Sequence, residues 1–600
     1  MKKLLALSAA VLLMLTAGCS LNNTGSDASA VSGEAEQVSV TSNAVNESGM
    51  FSDRDLEVGY SEADAVKIAL NGASATSSDK SNVDISGGTV TVSDEGVYVL
   101  SGDLSDGQIV VDAEKTDKIQ LVLNGASITS SDSAAIYIKS ADKVFITLTD
   151  TENSLTSSGE FKTTDDNNVD AAIFSKEDLT LNGVGSLKTV SACGHGIVSK
   201  DDLVITGGTI DITSAGHGLS GKDSVRVAGG NITVKSDKDG VHSENADDES
   251  KGFIYIENGT FDITAKKDGI DASGYLTVNG GKFNIVSSVD AIHSNADVTI
   301  TAGTFEISAD DDGIHADSAV AISGGTASIT KSYEGIEGQN ITLSGGKITI
   351  KASDDGLNAA GGNDSSGANG RMGQDKFKAD ENCFIEIKGG TLNINASGDG
   401  IDSNGSIKVS GGTTYVSGPS NNGNGAIDCG EGLSPVITGG TVIAAASSGM
   451  AVTFGGESTQ CSIMYNMTSA KDGGTAVTLK DGSGKVLASF TPENKYQSVV
   501  ISVPAMKQNE KYTVTAGDES KEITQSSVSV TEGEAGGMSG FMKDGFRGDK
   551  GGMTLPTDEN GETLKKFDGE RPEMPRGEMP EMPEMPNGGK AADNSGGASV

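Results

Sequence analysis

Between residues 195 and 450, hydrophobic and polar positions alternate in short bursts, as in Thr209-Ile210-Asp211-Ile212, Asn231-Ile232-Thr233-Val234, Thr260-Phe261-Asp262-Ile263 and Lys347-Ile348-Thr349-Ile350. A period of two buries every second side chain and predicts strands. Each burst follows a glycine turn such as Gly207-Gly208, Gly229-Gly230, Asn258-Gly259 or Gly345-Gly346. A shorter strand precedes it, for example Leu203-Val204-Ile205 or Val298-Thr299-Ile300. A third element recurs between bursts, an acid-Gly-aliphatic-polar unit. It reads Asp239-Gly240-Val241-His242, Asp268-Gly269-Ile270-Asp271, Asp290-Ala291-Ile292-His293, Asp312-Gly313-Ile314-His315, Glu334-Gly335-Ile336-Glu337, Asp355-Gly356-Leu357-Asn358 and Asp399-Gly400-Ile401-Asp402. Looser copies stand at His195-Gly196-Ile197, His217-Gly218-Leu219 and Ala426-Ile427-Asp428.

The second residue of this unit falls at 196, 218, 240, 269, 291, 313, 335, 356, 400 and 426, in steps of 22, 22, 29, 22, 22, 22, 21, 44 and 26. A period near 22 with whole-repeat insertions predicts a solenoid. Three short strands per repeat describe one rung of a parallel β-helix, right-handed by the crossover preference. Roughly 15 rungs spaced about 4.8 Å apart would make a rod about 70 Å long. The expected fold class is all-β: a right-handed parallel β-helix solenoid, a small antiparallel C-terminal cap and a disordered tail.

The ends are less regular. Val66–Leu70, Val90–Val92, Val97–Leu100, Ile109–Val111, Ile119–Leu123, Ile136–Ile138 and Val144–Leu148 read as strands of a blurred opening to the same helix. Ala476–Leu479, Val486–Phe490 and Val499–Val503 suggest antiparallel strands closing the far end. Beyond about 532 the chain is Gly, Glu, Met and Pro with no face to pack. Thioether capture of Cu(I) by Met574, Met579, Met582 and Met585 is a minor reading of that tail. At the other end, Lys2 and Lys3 precede the apolar 4–15 stretch and Thr16-Ala17-Gly18-Cys19. This is the plan of a bacterial lipoprotein signal with Cys19 as the lipidated residue, departing from the usual pattern at Thr16. No later apolar run reaches 18 residues, so no membrane span is expected. The division is 1–18 signal, 19–54 flexible tether, 55–454 β-helix, 455–531 cap and 532–600 tail.

The net charge of −40 opposes binding to nucleic acid or an anionic membrane and suits a collector of cations. Cys193, Cys383, Cys429 and Cys461 are scattered and imply no disulfide framework. Cys429 occupies the repeat position of Ala272, Ser294, Ala316, Ala359 and Ser403, which suggests a small buried residue.

The repeat unit sets the candidate chemistry. With the aliphatic residue inward, its neighbours form two outward columns. One contains His195, His217, Asp239, Asp268, Asp290, Asp312, Glu334, Asp355 and Asp399. The other contains His242, Asp271, His293, His315, Glu337, Asn358, Asp402 and Asp428. Carboxylates about 5 Å apart repel by about 1 kcal/mol in water and about 3 at an effective dielectric near 20. They therefore need cations, protonation or good solvation. Repeated hard oxygen ligands favour Ca²⁺, with candidate metal ligands Asp239, Asp268, Asp271, Asp290, Asp312, Glu334, Glu337, Asp355, Asp399 and Asp402. The interleaved His242, His293 and His315 keep Zn²⁺ or Ni²⁺ open, although the sequence shows no compact His/Cys triad. A solvated acidic ridge with Asp chosen for its turns is the plainer alternative. The 29-residue step adds a loop around 244–252 and the 44-residue step one around 360–381. Both leave the coil after the second column, so the binding face is expected there.

The ordered set Gly96–Gly102, Ile119–Gly125, the Asp-Gly-Ile-His and Gly-Gly-Thr rungs, and Gly484–Pro492 resembles one bacterial group. These are the surface carbohydrate-binding β-helix lipoproteins, related in shape to pectate lyases. The resemblance spans about 55–530. It implies a right-handed parallel β-helix, bound calcium, and non-catalytic binding of cellulose or acidic, pectin-like glycans. The expected protein is a lipid-anchored, extracytoplasmic monomer whose partner is a polysaccharide. His242, His293, His315, Asn358 and Tyr333 are the candidate glycan contacts. The sequence has no Trp, which favours an acidic glycan over crystalline cellulose. Tyr255, Tyr275 and Tyr415 are further stacking candidates. The enzymatic alternative is a calcium-dependent lyase with Lys238, Lys266 or Lys267 as base, or Arg226 or Arg371. A structural spacer or adhesin is the third reading.

Overall fold

The computed structural model describes residues 49–162, 167–360 and 379–535. Cys19 and its leader, most of the second inserted loop, Arg371 and the Met/Pro-rich tail lie outside the described residues. Among those described, 43 strands join one mostly parallel sheet and the four residues Asp53–Leu56 are the only helix. None of the helical structure is long and apolar enough to cross a membrane.

The repeat steps read from the sequence are the pairing steps of the structure. Val241 lies beside Ile270, Ile270 beside Ile292, Ile292 beside Ile314, Ile314 beside Ile336, Ile336 beside Leu357, and Leu357 beside Ile401, all in parallel register. The two preceding strand types pair in the same way, for example Thr260–Ala265 with Lys282–Ser287 and Leu276–Val278 with Val298–Ile300. Such pairing is consistent with a parallel β-helix.

Alternation fills the inside. Along Thr260–Ala265 the odd-numbered Phe261, Ile263 and Ala265 are buried while Thr260, Asp262 and Thr264 are exposed. Phe261, Phe283 and Phe305 stack on successive rungs, with ring centroids 4.8 and 4.6 Å apart and planes within 6°. Identical residues at one register position thus become a column of contacts. The second glycine of each Gly-Gly turn has a left-handed backbone, with φ of 91° at Gly208 and 82° at Gly346, which an L side chain would strain.

The stretch from Val66 to Leu148 is strand throughout its expected segments, with two unexpected antiparallel hairpins, Val66–Gly72 with Ala75–Ser77 and Val83–Ser86 with Thr89–Val92. At the other end the parallel pairing stops. Thr441–Ala446 pairs antiparallel with Tyr496–Ser502, and a separate four-stranded antiparallel sheet within 477–524 shares an apolar cluster with these last strands of the large sheet.

The chain before Val66 is docked. Phe51 is buried against Tyr255, Arg226 donates to the Met50 carbonyl at 2.8 Å, and buried Asp55 pairs with Lys143 at 2.8 Å and Thr180 at 2.6 Å. The boundary drawn at 54 therefore falls inside an ordered strap. Cys429 packs partly buried against the core, and burial pushes its thiol up to about 11.

Candidate functional site

The two columns exist, in the predicted register, but they are not fully solvated ridges. His242, Asp271, His293, His315, Glu337, Asn358 and Asp402 are consecutive partners in the strand ladder. Asp239, Asp290, Asp312, Glu334, Glu337 and Asn358 are all buried, at 2–7 % exposure, and the remaining members are half-buried. The second-column side chains alternate with the buried aliphatics and so face away from the apolar core, as expected, but they pack against one another and water screens their repulsion only in part, which corrects the solvated-ridge alternative.

The reason lies in how the first-column aspartates divide their oxygens. Oδ1 accepts the backbone N–H of the next rung: Asp268 to Asp239 at 3.0 Å, Asp290 to Asp268 at 2.9 Å, Asp312 to Asp290 at 2.8 Å and Glu334 to Asp312 at 3.1 Å. Asp355 accepts likewise from Asp399, and Asp399 from Gly425. His195 does the same with Nδ1, which accepts from the His217 N–H at 2.9 Å. These N–H groups precede the short strand and are satisfied by the ladder. Where a histidine stands nearby, the other oxygen turns toward it. Asp239 Oδ2 lies 2.8 Å from His217 Nδ1 and 3.3 Å from His242 Nδ1, and Asp290 Oδ2 lies 3.3 Å from His315 Nδ1.

The glycine of the unit is needed for close packing, since no left-handed φ occurs there. A Cβ on Gly313 would sit 2.6 Å from the Gly335 carbonyl and 2.8 Å from Ile329.

Histidines and carboxylates meet in compact sets. His217, Asp239 and His242 form one, Asp290, His293 and His315 another, and Asp312, His315 and Glu337 a third; in each, ligand atoms lie within 4.8 Å of one another. The expectation that no compact triad exists considered His and Cys alone; a neighbouring rung supplies the carboxylate. Asp271 is held between two rings, with Oδ1 2.8 Å from His293 Nδ1 and Oδ2 3.0 Å from His242 Nδ1. Burial opposes its ionisation, but these two bonds prevail and hold the carboxyl well below the usual range. Burial likewise opposes a charge on His293, yet Asp271 raises that imidazole to about 9. His242 and His315 are raised in the same manner.

Elsewhere in the first column, burial and neighbouring acids outweigh any nearby histidine. Burial, with Asp290, Asp271 and Asp239 nearby, lifts Asp268 to about 7; burial, with Asp402 nearby, lifts Asp399 to about 8. Asp312 and Asp355 are pushed up for the same reason. The end built from Glu334, Asp355, Asn358, Asp399 and Asp402 offers oxygens alone. There Asn358 Nδ2 donates to Glu334 at 2.6 Å, while Asn358 Oδ1 is buried without a hydrogen-bond partner. An orphaned acceptor among carboxylates fits a hard cation such as Ca²⁺.

The remaining candidates divide. Of the lyase residues, Lys266 pairs with Asp237 at 2.7 Å on the surface and Arg226 is engaged by Asp202 and the N-terminal strap, whereas Lys238 and Lys267 are exposed beside the first column. Tyr255 is buried and Tyr415 stacks on Phe490, so neither offers a free face of the kind expected. Tyr275 is 37 % exposed and stacks on Phe253 at 4.7 Å. Tyr333 is half-buried, and burial with a bond to Asp354 raises its hydroxyl. The first inserted loop does border the columns: Glu244 Oε2 lies 3.5 Å from His242 Nε2, and Lys251 and Asn245 tie the loop to Asp223. Asp170 adds a carboxylate 3.9 Å from His195 at the near end of the first column, although the residue in register with His195 is Ala171. The counterpart of His195-Gly196-Ile197 in that rung is Ala171-Ala172-Ile173, which has neither the acid nor the glycine of the motif.

Residues 86–335 match the model of a family described as carbohydrate-binding domain-containing protein. A protein so described from Acetivibrio thermocellus is 37 % identical over 149 residues, 24 % of this chain and 52 % of the relative. The chain thus spans about half the length of the curated relative it matches. A solved polysaccharide lyase-like protein from C. thermocellum, studied as a gadolinium derivative, is 31 % identical. That match covers 45 % of this chain and 96 % of the other, with a TM-score of 0.34.

Proposed function

We propose that this is a non-catalytic carbohydrate-binding protein of the bacterial surface, lipid-anchored through Cys19. Its oxygen-only columns hold Ca²⁺ and dock an acidic, pectin-like glycan, with the coil read as a right-handed parallel β-helix. The carrying observation is the ladder of buried and half-buried carboxylates, whose first-column aspartates each tie one oxygen to backbone and which crowd like charges together in the rungs that lack histidine. A divalent cation removes that repulsion, and a bound ion shared with uronate carboxylates gives the glycan a point of attachment. The match of 86–335 to a carbohydrate-binding family supports the class of ligand.

A calcium-dependent lyase remains the second reading because Lys238 and Lys267 stand exposed beside the first column. One experiment separates the two. The purified protein is incubated with polygalacturonate in calcium or in chelator, retention is measured by pull-down, and absorbance reports unsaturated uronide. Calcium-dependent retention without new absorbance is expected. Rising absorbance that Lys238→Ala or Lys267→Ala removes would make it a lyase. Absence of retention on polygalacturonate would contradict the pectin-like ligand.

A further inference from the structure

The chain has five histidines, and all of them, His195, His217, His242, His293 and His315, lie in the two columns. Imidazole is a poor ligand for calcium and a good one for zinc-type ions, so the histidine-bearing rungs of the columns differ in kind from the oxygen-only rungs.

Geometry distinguishes the two histidine pairs. His217 and His242 are stacked, with centroids 4.1 Å apart and planes within 9°. Ring-nitrogen lone pairs lie in the ring plane, so two parallel stacked rings direct theirs side by side. They cannot meet at one ion about 2.0–2.1 Å from each nitrogen. His293 and His315 instead cross at 62° with centroids 5.1 Å apart, so their ring planes intersect and a nitrogen of each can address one point, for His293 the one not held by Asp271. A nitrogen from each and an oxygen of Asp290 already lie within 4.8 Å of one another. Tetrahedral zinc ligation places donors about 3.3 Å apart, within reach of small side-chain rotations.

The surroundings complete the set. His315 Nδ1 faces Asp290 Oδ2 at 3.3 Å and Asp312 Oδ2 at 3.6 Å. His315 Nε2 is buried and makes no hydrogen bond, with Asp317 and Glu337 oxygens at 3.7 and 3.8 Å. Asp290 Oδ1 is held by the Asp312 N–H, which fixes the carboxylate whose Oδ2 would bind.

We propose that His293, His315 and Asp290 form a site for a zinc-type divalent cation, with Asp312 or Glu337 completing its coordination. It is distinct in chemistry from any calcium held by the oxygen-only rungs and independent of whether a glycan binds.

The test is titration of the metal-free full-length protein with Co²⁺, a spectroscopic stand-in for Zn²⁺. One equivalent should produce a visible d–d band of a nitrogen-and-oxygen site, which Zn²⁺ abolishes and a hundredfold excess of Ca²⁺ does not. His293→Gln with His315→Gln should lose the band, and His217→Gln with His242→Gln should keep it, with far-UV circular dichroism confirming that both variants fold. No band in the wild-type protein, a band surviving in the first variant, or one lost only in the second would overturn the proposal. Should the first variant fail to fold, Asp290→Asn, which preserves the ladder acceptor, serves in its place: the band must weaken or shift, and an unchanged band overturns the assignment.

Discussion

Oδ1 of Asp290 accepts a 2.8 Å hydrogen bond from the backbone N–H of Asp312, one rung away. The same bond recurs along the first column, so these acids have a structural duty before any ligand arrives. Removal of the charge and removal of the acceptor must therefore be tested separately.

Asp290→Ala leaves the buried Asp312 N–H without its partner, for which a loss of about 1–3 kcal/mol is expected. Asp290→Asn retains a carbonyl oxygen at that place and should cost much less in metal-free buffer. Thermal melting in chelator compares the two. Equal loss in both variants would mean that the ladder bond is not what the carboxylate contributes.

The pH dependence follows from the raised groups. Asp399 moves from 3.8 to about 8, so its protonation favours the fold; that contribution is full below about 3.8 and lost as pH rises through about 8. Asp268, raised to about 7, behaves alike. His293, raised from 6.5 to about 9, stabilises fully below 6.5 and loses this as pH rises through 9. Asp271, lowered, contributes throughout this window and fails only in stronger acid. Metal-free protein should therefore melt at progressively lower temperature from pH 5 to pH 9, with a shallower slope in Asp399→Asn. Saturating calcium should flatten the slope, because the ion takes the place of the proton. A melting temperature that rises with pH would refute the repulsion argument.

In the core, Phe283 lies between the Phe261 and Phe305 rings at 4.8 and 4.6 Å. Phe283→Ala should destabilise the central rungs by about 3–5 kcal/mol, and Phe283→Leu by clearly less. Hydrogen exchange should show the loss concentrated in strands Thr260–Ala265 to Thr304–Ser308, as expected when each rung touches only its neighbours. Uniform loss along the chain would contradict that locality.

Much of the architecture was legible. Ile292, Ile314 and Ile336 recur every 22 residues in the sequence and are ladder neighbours in the structure, because a repeat that cannot bury its own apolar face must stack. The column membership of His242, Asp271 and His293 was legible for the same reason. Their burial was not. Period two tells which side of a strand a residue faces; it does not tell that Asp290 turns along the ladder, or that its second oxygen meets His315 three residues on from Asp312. Nor did it separate the glycines: Gly346 is needed for a left-handed φ, Gly313 for close contact with Gly335. The antiparallel hairpin at 83–92 escaped because nothing in Val83–Val92 distinguishes a hairpin strand from a rung strand.

The central claim is that the carboxylate columns dock an acidic glycan through calcium. Its most direct measurement is calcium-dependent retention of Asp399→Asn/Asp402→Asn on immobilised polygalacturonate beside the wild-type protein. The amides keep the ladder acceptor at 399 while removing two charges, so the fold should persist by circular dichroism and retention should fall at least tenfold. Retention equal to wild type would contradict the columns as the docking surface.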